Sequence, residues 1–220
     1  MDTDVCVRPR ARRAARITAA LAASGGAAIA TAVAAQAAPS FNVTATHNVL
    51  VGQRVVVHGT DGSGQSGQTL AIQVRHGRRW ATEARVATGA GGSFRAAWRP
   101  HATGRYAVRA VATGPGSIVA SSASNTTAVT VYRTAGASWY GPGLYGSPVA
   151  CGGTLEPGEL GVANKTLPCG SRVTLRYHGR QVTVRVIDRG PYVAGRDYDL
   201  TDATRSRLGF PDTGTLWSSR

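Results

Sequence analysis

Between residues 41 and 133 apolar and polar side chains alternate in short runs, at 54–58, 69–75, 79–86, 92–98, 104–112 and 126–132. A period of two places successive side chains on opposite faces, so each run reads as a strand with one face buried. Clusters such as Thr60-Asp61-Gly62-Ser63 separate the runs as turns, and no 3.6-residue period competes. This half is expected to be an antiparallel β-sandwich over residues 40–132. The character changes at 133–136, and a second block, 134–220, opens there. It contains strands at 172–177 and 181–187, joined by a tight turn at His178-Gly179-Arg180 where glycine supplies positive φ. Residues 202–208 form one short helix stopped by Gly209, and 214–218 make a last strand. The fold class is therefore all-β.

The first forty residues follow neither pattern. Arg8, Arg10, Arg12, Arg13 and Arg16 precede an uncharged, Ala-rich run from 17 to 35, followed by the small-residue site Ala35-Gln36-Ala37. That order is the basic, apolar and cleavage region of a secretory signal peptide, here residues 1–37. The run is weakly apolar and broken by Ser24, Gly25 and Gly26, which argues against a stable membrane span after cleavage. Arg12-Arg13 leaves the Sec and twin-arginine routes both open. Cys6 precedes the apolar run, so a lipoprotein is not expected.

Export changes how charge and cysteine are read. The full chain carries a formal charge of +14, and loss of residues 1–37 removes five Arg and two Asp, leaving about +11. Outside the cell a basic surface attracts anionic wall polymers and lipid headgroups, and nucleic acid is excluded as a partner. Cys151 and Cys169 are an even pair in an oxidising compartment, where a disulfide is the default. Neither has a His or carboxylate at metal-site spacing, so no metal and no cofactor is expected.

Candidate chemistry concentrates in the second block. Asp188 directly follows the apolar strand and precedes the rigid Arg189-Gly190-Pro191-Tyr192 turn; Asp199 lies eleven residues on, in Tyr198-Asp199-Leu200-Thr201. Cleaving a glycosidic bond needs a carboxylic acid to protonate the leaving oxygen, and one acid suffices when the sugar's own hydroxyl is the nucleophile. The competing reading is an Asp that caps a turn or pairs with Arg189 or Arg196. Trp139, Tyr140, Tyr145 and Tyr192 are candidates to line a sugar groove, or to pack core and loops. In the first block Trp80 and Trp98 can likewise stack on sugars or fill the sandwich, with the core favoured.

Several motifs in order carry a resemblance. Gly136-Ala137-Ser138-Trp139-Tyr140-Gly141, Ala163-Asn164-Lys165-Thr166-Leu167-Pro168, Val186-Ile187-Asp188-Arg189-Gly190-Pro191-Tyr192 and Asp199-Leu200-Thr201 resemble the double-psi β-barrel domain of rare lipoprotein A, a septal-ring lytic transglycosylase family related more distantly to expansins. The likeness covers 134–219 and implies a six-stranded double-psi β-barrel. The first block resembles the immunoglobulin-like modules of bacterial surface proteins, through Gly92-Ser93-Phe94 and Gly104-Arg105-Tyr106. By resemblance Asp188 is the catalytic acid, Asn164 stands where the lytic enzymes carry His, and Asp199 matches the acid essential in expansins. Lys165 and Arg189, in the same motifs, join the four aromatics as substrate-binding candidates. Asn cannot titrate near neutral pH, so a proton-transfer role at that position would be lost.

The resemblance implies a secreted bacterial cell-wall protein that cuts peptidoglycan strands between N-acetylmuramic acid and N-acetylglucosamine. A non-catalytic, expansin-like module that grips and loosens wall polysaccharide, and a structural or adhesive surface protein, are the alternatives.

Overall fold

The computed structural model describes residues 42–113 and 123–220; the 1–37 segment read as a signal peptide lies outside the described residues. Eight strands build the first half: β1 (Asn42–Ala45), β2 (Asn48–Leu50), β3 (Val55–Thr60), β4 (Thr69–His76), β5 (Arg79–Ala87), β6 (Ser93–Trp98), β7 (Gly104–Ala112) and β8 (Thr127–Tyr140). β1, β3 and β6 pair antiparallel in one sheet. The second sheet runs β5-β4-β7-β8, with β2 parallel to β8. Alternation decides what lies between the sheets: Val55 and Val57 on β3, Leu70, Ile72 and Val74 on β4, and Val129 and Val131 on β8 are all buried in one cluster. Trp98 joins this core, whereas Trp80 stays outside it under the Arg109 guanidinium, 4.1 Å from the ring.

The second half is a closed six-stranded barrel, as the resemblance implied. β9 (Gly161–Ala163), β10 (Arg172–Tyr177), β11 (Arg180–Asp188), β12 (Tyr198–Thr201) and β13 (Gly214–Ser219) join the C-terminal half of β8. Pairing runs β8-β12-β9-β11-β10-β13 and returns to β8, leaving no open edge. Val173, Leu175, Val184, Val186, Leu200 and Leu216 fill the interior. His178 and Gly179 both take positive φ, at 42° and 85°, in the two-residue connection of the β10–β11 hairpin. The helix α1 (Asp202–Leu208) starts at Thr201, whose hydroxyl accepts from Thr204 N, and ends at Gly209 in the left-handed region.

Where the sequence changes character at 133–136, the backbone does not break. β8 is a single 14-residue strand. Its residues 127–131 pair with β7 and its residues 133–140 with β13 and β12. Between them Tyr132 is fully buried, its hydroxyl 2.7 Å from Gln181 Oε1 and 3.1 Å from Asn48 Oδ1.

Candidate functional site

Strand β11 sends Val182, Val184 and Val186 toward the barrel interior, so strict alternation would bury Asp188 as well. It does not, because the pairing with β9 slips. Val186 faces Val162, and the next partners are Asp188 and Ala163, so Ile187 is an extra residue on the bulged strand. The bulge turns Asp188 onto the outer face of the wall. Gly161 makes room for it: a Cβ there would collide with the Ile187 side chain.

The Asp188 carboxylate is held from one side. Its Oδ1 accepts from Ala150 N and from Arg189 N, both at 2.8 Å, and Oδ2 has no hydrogen bond among the described residues. Ala150 is fixed in turn by its neighbour, since Cys151 N donates to Ile187 O at 3.1 Å and Cys151 is bridged to Cys169. The disulfide expected from the sequence thus fastens the loop that supplies one of the two amides. Arg189 does not ion-pair with Asp188. Its guanidinium donates to Asn164 O (3.3 Å), Asp188 O (3.4 Å) and Cys169 Sγ (3.1 Å), tying the same turn together.

Register places the second acid on this face. Ala163 pairs with Asp188 on one side and with Asp199 on the other, and Asp199 pairs with Ser138. The row Asp188–Ala163–Asp199–Ser138 crosses four strands, so the two acids stand two strand spacings apart, about 10 Å at the backbone. Ser138 Oγ hydrogen-bonds Asp199 Oδ1 and also receives Arg196 Nη1 at 3.2 Å.

Tyr140, two residues after Ser138, faces the same way. Its hydroxyl is buried and has no hydrogen-bond partner, the one such side-chain atom among the described residues. Burial, and then the charges of Asp188, Glu159 and Asp199, push this phenol well above its ordinary value. It therefore stays a neutral O–H donor, close to three carboxylates and without an acceptor. Glu159 was not anticipated. It comes from the irregular 141–160 loop, and its carbonyl accepts from Thr201 Oγ1 at 2.6 Å.

The remaining candidates divide. Asn164, only 7% exposed, has its amide engaged: Oδ1 accepts from Thr166 N (3.1 Å) and Leu167 N (2.8 Å), and Nδ2 donates to Asp197 O (2.8 Å). Lys165 is exposed, with Nζ 3.5 Å from Val193 O. Tyr192 is 81% exposed beside Pro191, and Tyr145 is exposed near Asp202. Trp139 points to the opposite side of β8 from Tyr140. It packs partly on the barrel core under Arg205, 4.1 Å from the ring, and donates to Asp212. Among the described residues no cluster of three or more His, Cys, Asp or Glu is placed to hold a metal ion.

Similarity to known proteins falls on this half. Residues 132–217 match the lytic transglycolase family. The endolytic peptidoglycan transglycosylase RlpA of Campylobacter jejuni is 44% identical over 93 residues, 40% of this chain and 34% of that protein. The protein of the same name in Pseudomonas aeruginosa strain UCBPP-PA14 is 45% identical over 87 residues, 38% of this chain and 26% of its own. This chain thus spans about a third or less of the curated relatives it matches. Among solved structures, Streptomyces papain inhibitor is 24% identical over 40% of this chain and 94% of its own, with a TM-score of 0.32.

Proposed function

We propose, from the premise that residues 132–217 form a domain of the lytic transglycolase family with an RlpA-like double-psi β-barrel, that this protein cuts peptidoglycan glycan strands by intramolecular transglycosylation. The observation that carries the reading is the carboxylate of Asp188, re-aimed by a bulge, anchored through Oδ1 by two amides and free at Oδ2. A proton to be given away has to sit on Oδ2, because Oδ1 faces two donors.

Asp188 protonates the oxygen between N-acetylmuramic acid and N-acetylglucosamine, and the bond from C1 to that oxygen breaks with oxocarbenium character at C1. The muramic 6-hydroxyl attacks C1, and the Asp188 carboxylate takes its proton. The products are a 1,6-anhydro end and a free 4-hydroxyl; no water is consumed, and Asp188 finishes protonated as it began. The buried Tyr140 O–H is a donor left without an acceptor, and a substrate oxygen that reaches it on binding accepts from it. Asp199, oriented by Ser138, and Glu159 supply negative charge near the developing cation. Asn164 positions the 164–167 turn and Asp197. A basic exterior and a disulfide suit an extracytoplasmic wall environment, with anionic wall polymers as further partners.

One observation favours a second reading, the expansin-like grip without cleavage. The Asn164 amide is spent on backbone partners, so that position offers no second titrating group. Incubating the secreted protein with peptidoglycan sacculi and with peptide-free glycan strands separates the two readings. Cleavage predicts anhydro products by mass spectrometry from the wild type and none from Asp188→Asn. Bound, uncut glycan with both proteins would establish the gripping module.

A further inference from the structure

A second concavity, of about 430 Å³, lies where the sandwich sheet meets the barrel wall. Two ladder rows form its sides. Arg105, Thr130 and Asn48 are neighbours across β7, β8 and β2, while Thr183, Thr174 and Ser219 are neighbours across β11, β10 and β13. Arg172, Arg220 and Gln181 also line it, together with His47, whose Nδ1 lies 3.1 Å from Ala128 O. No acidic residue lines it. Arg105, Arg172 and Arg220 belong to none of the ion pairs among the described residues, as is true of most arginines there; what sets them apart is that they converge on one concavity.

Holding the Arg105 and Arg172 guanidinium groups around one concavity with no acidic side chain beside them is unfavourable, and it marks a place suited to an external anion. The frame is rigid. β8 belongs to both halves, the Tyr132 hydroxyl bridges toward Gln181 and Asn48, and Thr103 Oγ1 donates to Arg220 O at 3.1 Å. The geometry also selects among anions. Guanidinium forks pair with carboxylate and phosphate alike, but donors approach here from two facing walls. A planar carboxylate presents its oxygens in one plane, whereas a tetrahedral phosphodiester can accept from both walls together.

We propose that this groove binds the phosphodiester groups of an anionic polymer. It is separate from the glycan face: Thr183 and Asp188 are five residues apart on β11, about 17 Å along the strand. The proposal does not depend on glycan cleavage, and its test does not use it.

The experiment titrates the full secreted chain with polyglycerol phosphate of defined length, in low and moderate salt. Polyglutamate of matched charge and inorganic phosphate serve as competitors. Arg105→Gln/Arg172→Gln is compared with Arg79→Gln/Arg85→Gln, an equal charge loss on exposed positions of β5 outside the groove. Matching thermal midpoints serve as the check on folding, since all four side chains are exposed. The expected result is affinity weakened at least about tenfold by the groove pair and by less than about twofold by the β5 pair, with binding falling as salt rises. Equal losses from both pairs would reduce the effect to general charge and overturn the groove. Competition by polyglutamate as effective as that by the phosphate polymer would overturn the selectivity for phosphodiesters.

Discussion

Tyr140 shows how a single side chain can report on function through an unmet need. A buried hydroxyl without a partner costs free energy, and removing it leaves the ring's packing intact. Tyr140→Phe is therefore expected to leave stability unchanged, or to raise it by up to about 1 kcal/mol, while lowering turnover of glycan strands by about 10–100-fold with little change in KM. Denaturant midpoints and steady-state kinetics check both halves; a large stability loss would make the hydroxyl structural. The raised phenol pKa has a definite sign of its own. Folded protein keeps a proton that the unfolded chain loses above about pH 10, so Tyr140 makes stability fall as pH rises beyond that point, and the Phe variant lacks this component. Asp188 was legible in the sequence because an acid after an apolar strand and before Gly-Pro has a position that local pattern defines. Glu159 was not, because its charge acts on the same phenol from a loop with no periodicity, through a fold that only long-range pairing creates. The Asn164 environment was legible as a motif and illegible as a set of bonds.

Elements add what residues cannot. The β11 bulge is invisible to alternation, which counts Asp188 as an inward position after Val182, Val184 and Val186; only the partner register reveals Ile187 as the extra residue. The strands 54–58, 69–75, 104–112 and 172–177, the β10–β11 turn and α1 all followed from pattern, since each is long enough to show a period or carries its own cap. β1, β2, β9 and β12 span four residues or fewer and present too little sequence to show one. The Cys151–Cys169 bridge acts at this scale by constraining the chain between them and by steadying the Ala150 amide. Cys151→Ser/Cys169→Ser is expected to lose ~3 kcal/mol in the chain-entropy description, seen as a lower denaturant midpoint. Turnover per folded molecule should fall as well, because one of the two donors that orient Asp188 is no longer fixed. Stability loss with undiminished turnover would separate the bridge from the site.

Across the molecule, the sequence suggested two blocks and the structure joins them through one strand. The sandwich core and the barrel core are distinct clusters, yet β8 contributes Val129 and Val131 to the first and Ala135 and Ala137 to the second. Melting either half removes pairing partners from the other, so calorimetry of the protein is expected to show one cooperative transition. Two resolved peaks would show that the halves unfold independently despite the common strand. Such continuity was hard to read beforehand because the residues that change character at 133–136 do so without a proline or a run of glycines to break the chain. The shared strand also determines how the protein would respond to tension. If one half were held by a stretched polymer and the other pulled away, the pull would run lengthwise through the β8 backbone. Its lateral hydrogen bonds to β7 and β13 would then be strained together in shear instead of opening one at a time like a zip. A hinge would have let the halves swing apart under such a pull; β8 instead keeps the two faces at a set spacing along a taut strand.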